Sequence, residues 1–407
     1  MKMTPEKTME YRRFGKTEEK ISVITMGGMR FEKGWNLPRN VLPRVSIENC
    51  MDITRRALDL GINHFESAHG YVKSEGLFGT AFNELSVPRN QFKMMTKGAP
   101  KTADDARALV EEQLNTLKMD YVDFYGWHGI NNDELLDIAV KKGGPVEALL
   151  KMKEEGIVRH VGFSTHGPLD VIMKAMKTGL FSFVNLHFYF FFQRNLPAVE
   201  LAREMDLGVF IISPNEKGGM LWTPPEKLKK LCSPLTPIQF NGRYCLSHPQ
   251  VTTLSLGIHR PEHFEQNFKI LGGEEYFSPK QKRIENRLRS PLETFPQECT
   301  YCSECLPCPE DINIPEILRF HNLLKVYDME DYGRYRYNML EGKGHWFPGN
   351  FAFACTHCGD CLPKCPENID IPRLLSATHK QLFNRKEYLK NKALDFLKKV
   401  YRLFFRR

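Results

Sequence analysis

No apolar run in this 407-residue chain is long enough to cross a bilayer. The opening MKMTPEKTMEYRRFG has neither an apolar core nor a small-residue cleavage site, so no secretory leader is expected there. Unbalanced charge is scarce outside one segment. The chain carries a formal +8, yet residues 384–407 hold nine Lys/Arg (Arg385, Lys386, Lys390, Lys392, Lys398, Lys399, Arg402, Arg406, Arg407) against Glu387 and Asp395. That leaves about +1 for everything before them, and no nucleic-acid face is expected on the body. Cysteine is nearly absent from the first 298 residues, where Cys50, Cys232 and Cys245 read as inert packing residues.

The other eight of the eleven cysteines crowd into 299–366. They form two runs, Cys299-x2-Cys302-x2-Cys305-x2-Cys308-Pro309 and Cys355-x2-Cys358-x2-Cys361-x3-Cys365-Pro366. The second has the spacing of two-cluster bacterial ferredoxins, in which the fourth Cys of each run ligates the other cluster. The first is one residue shorter before its last Cys. Three cysteines two residues apart can wrap three corners of a cubane, and the fourth corner must be met from elsewhere. Zinc, which favours two separated Cys-x2-Cys pairs, and disulfides are the alternatives. On the crossed pattern one [4Fe-4S] cluster takes Cys299, Cys302, Cys305 and Cys365. The other takes Cys355, Cys358, Cys361 and Cys308. Thiols placed for ligation point to a reducing, cytoplasmic compartment.

Ahead of the cysteines the chain alternates. Residues 10–17 read as a short hairpin. Strand-like apolar runs follow at 21–29, 62–68, 92–98, 121–129, 158–164, 181–189, 208–214 and 251–258, with helical patterns between them, such as 46–60, 102–117 and 196–205. Eight alternating β and α units predict an α/β fold of the (β/α)8 TIM-barrel type rather than an open sheet. In such barrels the chemistry lies at the C-terminal strand ends. Those ends carry Met29 and Arg30, Glu66 with Tyr71, Lys97, His128, Ser164 with Thr165 and His166, His187, and the loop from Ser213 to Gly219.

The segments GINHFESAHGYVKSE, FKMMTKG, DYVDFYGWHG, VRHVGFST and VFIISPNEKGGML, in this order, resemble the aldo/keto reductase family over roughly residues 9–272. Joined to the cysteine module, the chain resembles that family's ferredoxin-fused branch. The resemblance implies a catalytic tetrad of Tyr71, Lys97, His128 and Glu66, the last standing where the family usually has Asp. Carbonyl reduction delivers hydride to carbon and a proton to oxygen. Tyr71 would be the acid, with Lys97 expected to depress its pKa, Glu66 to hold Lys97, and His128 to orient the carbonyl oxygen.

The resemblance also implies NADP(H) or NAD(H) across the barrel mouth. Carried over are Ser164 and Asn185 for the carboxamide, Ser213, and Gly257, Arg260, Gln266 and Asn267 for the phosphate end, with Met29 and Arg30 beside them. The chain departs from the family pattern at Thr165, where Asn is usual, at Ile212, where an aromatic often stacks, and at Gly257, in place of a lysine. Arg260 or His263 could meet a 2′-phosphate.

After the barrel, 279–292 reads as a polar helix. The motif Cys-Pro-x-x-Ile-x-Ile-Pro-x-x-Leu occurs at Cys308 and again at Cys365, each second proline (Pro315, Pro372) suiting a helix first turn. With a helical stretch over 315–339, this predicts an α-helical ferredoxin-like domain. The expected division is 1–275 barrel, 276–383 cluster domain and 384–407 basic tail. The tail's apolar spacing suits an amphipathic helix, either packed on the body or facing an anionic membrane or an acidic redox partner such as ferredoxin.

Three functions follow. One is NAD(P)H-dependent reduction of an aldehyde or ketone, or the reverse oxidation of an alcohol. Another is an electron-transfer protein whose barrel binds a different substrate. The third is a silent barrel serving as a scaffold. Hydride carries two electrons and clusters pass one, so coupling them needs a converter such as flavin, for which no motif is evident.

Overall fold

The computed structural model describes residues 8–30, 37–216, 219–272, 276, 278–294, 299–341, 348–390 and 392–393. A two-stranded antiparallel hairpin, β1 (Tyr11–Arg13) and β2 (Lys20–Ser22), precedes the barrel. Eight parallel strands then close on themselves: β3 (Ile24–Gly27), β4 (His64–Glu66), β5 (Lys93–Gly98), β6 (Val122–His128), β7 (Val158–Ser164), β8 (Phe183–Leu186), β9 (Gly208–Ile211) and β10 (Val251–Gly257), the last pairing with both β9 and β3. Every expected strand falls within its predicted run. The strands are buried on both faces, as parallel strands covered by helices must be, which explains their nearly continuous apolar runs.

Phe14, from the hairpin, reaches the base of the barrel and packs with Ile21, Met95, Phe124, Phe183 and Phe210. Local signals placed the helices. Thr102 caps Ala103–Leu117, its hydroxyl accepting from the Asp105 amide at 3.1 Å, with Asp104 and Asp105 in the first turn.

The chain forms two compact units, Met1–Trp222 with Ile238–Gln281, and Thr223–Pro237 with Lys282–Arg407. The short helix Glu226–Cys232, between β9 and β10 in sequence, thus belongs to the second unit. There Arg287 of the helix Pro279–Glu293 donates to the carbonyls of Leu231, at 2.7 Å, and Ser233. Pro315 and Pro372 each sit in the first turn of their helices, Ile314–Tyr327 and Ile371–Leu382. The helical stretch expected over 315–339 is two helices. Asp328 adopts a left-handed conformation (φ 58°) and ends the first, and Glu330–Tyr337 follows. Residues 385–390 are helical, while 394–407, on which the amphipathic tail reading rests, lie outside the described residues. Among the described residues no helix is long and apolar enough to cross a membrane.

Candidate active site and cysteine module

β4 ends at Glu66, and a tight turn, His69–Tyr71, brings Tyr71 back over the strand end. The Tyr71 amide bonds the Ala68 carbonyl at 2.9 Å. Val72, next in the chain, has φ 53°. A β-branched residue pays a steric cost there, of the kind that recurs beside functional sites. Lys97 lies on β5 opposite Gly126 of β6. A Cβ on Gly126 would stand 3.0 Å from Lys97 Cγ, so the glycine makes room for the lysine stem.

These placements bring the four expected residues together. The buried Glu66 Oε1 accepts from Lys97 Nζ in a close ion pair and from the Tyr71 hydroxyl at 3.2 Å. Its Oε2 accepts from Ser255 on β10 at 3.2 Å. Lys97 Nζ also donates to the Ser67 carbonyl at 2.8 Å and lies 5.0 Å from the Tyr71 ring centre. The His128 ring stands edge-on to Tyr71, 5.9 Å between centres.

The expected electrostatics are corrected in one respect. Tyr71 is not depressed. Burial, then the neighbouring Glu66 carboxylate and its hydrogen bond, hold the phenol well above its ordinary value. Lys97 itself is lowered by burial, against the opposing pull of Glu66. The lysine's charge is matched by Glu66, and the same carboxylate binds the phenol directly. Tyr71 is therefore a fully protonated donor at neutral pH.

The residues expected around a nicotinamide are adjacent but differently engaged. Ser164 pairs in register with Asn185, and its hydroxyl accepts from the Gly129 amide at 3.2 Å. Thr165 donates to the Ile130 carbonyl at 2.6 Å. Asn185 is wholly buried, Nδ2 directed at Met95 Sδ (3.2 Å), while its Oδ1 has no partner among the described residues. A buried, unmatched amide oxygen fits the NH2 of a carboxamide. Ile212 packs on the barrel core, so it offers an aliphatic surface and not a stacking ring. His166 Nδ1 and His187 Nε2 are bonded at 2.7 Å across neighbouring strand ends.

At the end of β10 Gly257 lies under Arg30, where a Cβ would meet Arg30 Cγ at 2.6 Å. Arg260 Nη2 approaches His263 Nε2 at 3.4 Å, and the Trp222 ring lies 4.8 Å from that of His263. Asn267 is buried, accepting from Asn215 at 3.1 Å and donating to the His263 carbonyl at 2.8 Å. Gln266 is exposed, Ser213 (φ 53°) half-buried, and Met29 half-buried in the turn after β3. Guanidinium and imidazole groups beside a glycine fit a phosphate.

The two cysteine runs are built alike. Ser303 and Gly359 carbonyls accept from Leu306 and Leu362 amides at 3.0 and 2.9 Å, and Ile312 and Ile369 carbonyls accept from Ile314 and Ile371 amides, both at 2.8 Å. Tyr301 and Ser303 around Cys302, and His357 and Gly359 around Cys358, all have positive φ. This winds each loop tightly enough to turn its thiols inward. Cys299, Cys302, Cys305 and Cys365 line one hollow, and Cys308, Cys355, Cys358 and Cys361 line a second, with Cys305 at its edge.

Cys305 is pushed up to about 12 by burial and by Cys299 and Cys302. Cys361 is raised by burial and by Cys355, Cys358 and Cys308. Thiolates so placed require a cationic partner, which the iron of a cluster supplies.

Residues 23–283 match the aldo/keto reductase family, and residues 298–369 match the 4Fe-4S dicluster domain. The chain belongs to the aldo/keto reductase family. It is an oxidoreductase with the reductase barrel fused to a dicluster module. L-Galactose dehydrogenase from Arabidopsis thaliana is 30% identical over 171 residues, 40% of this chain and 50% of the plant enzyme, so the match spans about half of that relative. The uncharacterized oxidoreductase YqkF of Bacillus subtilis is 20% identical over 70% of this chain and 98% of its own length. The aldo-keto reductase AKR11C1 from Bacillus halodurans superposes with a TM-score of 0.56 at 20% identity, covering 69% of this chain and 96% of that one, which is a likeness of fold.

Sequence reasoning missed Ser255, which donates to Glu66; Glu75, which is bonded by Thr96 beside Lys97; and Trp222, which packs on His263. Ser255 had a signal, since it precedes Gly257 by two in VTTLSLG and therefore shares its face of β10. Glu75 lay in a helix where an acid usually meets water. Trp222 ends a single 3-10 turn, Met220–Trp222, too short for periodicity to place it.

Proposed function

We propose that the barrel reduces a small aldehyde or ketone with NAD(P)H, or oxidises the corresponding alcohol, with Tyr71 as the proton donor. The observation that carries the reading is Glu66, whose single carboxylate oxygen engages both Lys97 and Tyr71 at the strand ends. A nicotinamide dinucleotide supplies hydride to the carbonyl carbon. Ser164 and the unmatched Asn185 oxygen would hold its carboxamide, and Arg30, Arg260 and His263 its phosphates. Tyr71 gives its proton to the carbonyl oxygen by turning its hydroxyl from Glu66 to the substrate. Lys97 stabilises the tyrosinate left behind, and Glu66 keeps Lys97 in place. His128, edge-on to Tyr71, orients the oxygen that receives the proton. The named relatives include L-galactose dehydrogenase and a methylglyoxal reductase of Escherichia coli, which favours small polar carbonyls or sugars as the substrate class.

The cysteine grouping supports two [4Fe-4S] clusters ligated by Cys299, Cys302, Cys305 and Cys365, and by Cys308, Cys355, Cys358 and Cys361. They give the protein a one-electron function beside the two-electron chemistry of the barrel. A reducing, cytoplasmic setting belongs to the same reading, because eight ligand thiols must stay reduced. Contact of the C-terminal tail with an anionic membrane or an acidic partner rests on residues mostly outside the described set. Loss of binding to anionic vesicles after deletion of 384–407 tests it. The barrel reading is tested by Tyr71→Phe, which lowers NAD(P)H-dependent carbonyl reduction by about 10² to 10⁴-fold with iron content unchanged. An active Tyr71→Phe protein contradicts the assignment.

A further inference from the structure

The cysteine module presents its ligands to solvent unequally. Cys302 and Cys358, the second cysteine of each run, are exposed, whereas Cys299 and Cys305 are buried. Two exposed leucines occupy matching positions in the repeat, Leu306 after Cys305 (37%) and Leu362 after Cys361 (42%). Both flank one hollow, since Cys305, Pro307 and Cys361 all line the space shared by Cys308, Cys355 and Cys358. A lone exposed leucine says little. Two of them on the rim of a single redox site, beside an exposed ligand thiol, leave apolar surface where an electron would enter or leave.

The charge around the two hollows has one sign: Glu310 and Asp360 line the hollow of Cys308, and Glu367 lines that of Cys299. From Cys299 to Asp311 the loop holds Glu304, Glu310 and Asp311 and no Lys or Arg. From Cys355 to Asp370 it holds Asp360, Glu367 and Asp370 against Lys364 alone. Glu304, Asp311, Asp360, Glu367 and Asp370 are exposed. Among the described residues these acids form no ion pair with a lysine or arginine, unlike the acids of the barrel surface. The chain ahead of residue 384 carries about +1, and the loops are net acidic against it. Tetrathiolate clusters add further negative charge at the same place.

We propose that this rim is the docking surface for a one-electron carrier protein whose exposed redox centre is ringed by lysine and arginine. Leu306 and Leu362 make the dry contact over the Cys308/Cys355/Cys358/Cys361 cluster. Glu304, Asp360 and Glu367 steer and orient the carrier. One electron passes from the reduced cluster to the carrier's oxidised centre. The cluster is oxidised by one, the carrier reduced by one, and no bond or proton moves. An acidic ferredoxin is repelled from this surface. The proposal rests on the dicluster reading above, and its partner class follows from the charge of the loops.

The test uses full-length, iron-loaded protein reduced anaerobically with dithionite. Stopped-flow rates of electron transfer are measured to a small basic c-type cytochrome and to a small acidic ferredoxin, across ionic strength. The basic cytochrome is expected to react at least about tenfold faster at low salt, with the advantage shrinking as salt screens the rim. The E304Q/D360N/E367Q variant should lose about tenfold in that rate and most of its salt dependence, at unchanged iron content and unchanged carbonyl reductase activity. Leu306→Ser with Leu362→Ser should weaken cytochrome binding while leaving the salt slope intact. Equal or faster reaction with the acidic ferredoxin, or an E304Q/D360N/E367Q variant that behaves as wild type, overturns the docking surface while leaving the clusters in place. Protein purified anaerobically without iron overturns the dicluster reading, and the docking proposal with it.

Discussion

Thr96, one residue along β5 from Lys97, donates its hydroxyl in a 2.5 Å hydrogen bond to Glu75, a wholly buried carboxylate on the helix Ser74–Glu84. Gln113 Nε2 also donates to Glu75 at 2.5 Å and reaches the Lys97 carbonyl at 3.2 Å, and Arg39 closes the other side of the carboxylate. Burial raises the Glu75 carboxyl, while Thr96, Gln113 and Arg39 oppose that rise. Lys97 is thus fixed at its side chain by Glu66 and at its main chain by this network. Glu75→Ala leaves a buried donor set unmatched and should cost about 3–5 kcal/mol. Thr96→Val should cost about 1.5–3 kcal/mol. Urea midpoints measure both, and near-neutral results would place the network outside the structural core.

Glu66→Gln removes the charge beside Tyr71 while keeping a hydrogen-bonding side chain. Tyr71 is held high by burial and by that carboxylate, so its ionisation should move down in pH in the variant. Lys97 loses the larger of the two carboxylate influences that offset its burial, Glu75 supplying the other, and should also fall. In the wild-type protein no loss of carbonyl reduction from Tyr71 ionisation is expected below about pH 10. In Glu66→Gln the alkaline limb of kcat/KM should appear at lower pH. Coincident profiles would separate Glu66 from the proton donor.

Ser255→Ala deletes the hydrogen bond donated to Glu66 Oε2. A buried acceptor left without a donor costs about 1–3 kcal/mol. The freed carboxylate should also turn more readily, loosening its grip on Lys97. Thermal denaturation and kcat are expected to fall together. Ser255→Thr, which keeps the hydroxyl, should recover most of both.

His64 lies inside the barrel, wholly buried, with Nδ1 2.8 Å from the Thr25 hydroxyl. Burial, helped by the charges of Lys97 and Lys93, lowers its pKa to about 3. The folded protein therefore binds fewer protons here than the unfolded chain. The stability this provides is fully present above the unfolded value of about 6.5 and is lost as pH falls from there toward 3. The slope approaches about 1.4 kcal/mol per pH unit within that window. Comparing urea midpoints of wild type and His64→Leu between pH 7 and 5 isolates the His64 share. The wild-type protein should weaken more steeply, and parallel curves would mean that His64 titrates as if exposed.

The barrel was legible because its strands are apolar on both faces and punctuated by capped helices, as at Thr102. The meeting of Glu66, Tyr71, Lys97 and His128 was legible because they fall in order at the ends of three consecutive strands, β4, β5 and β6. What could not be read depends on contacts that sequence spacing does not encode. The rise of the Tyr71 pKa follows from its burial and from the Glu66 carboxylate folded against it. Glu75 looks like an ordinary surface acid until the helix is seen to face β5. The passage of Thr223–Pro237 into the second unit leaves no mark between β9 and β10, and Asp328 gives only a weak hint of the left-handed turn that divides the helices.

Crossed ligation makes a sharp prediction about pairs of cysteines. Cys308 lines the hollow of Cys355, Cys358 and Cys361, although it belongs to the other run, and Cys365 lines that of Cys299, Cys302 and Cys305. The turn after each third cysteine, closed by the Leu306 and Leu362 amides, carries the fourth away from its own loop. Cys308→Ser should therefore perturb the same cluster as Cys358→Ser, and the double variant should retain one intact cluster, about four of eight irons. Cys308→Ser combined with Cys302→Ser should damage both. Electron paramagnetic resonance of the reduced protein distinguishes these cases. If Cys308→Ser pairs with Cys302→Ser instead, each run builds its own cluster, and the neighbouring cysteines of the second hollow are not its ligands.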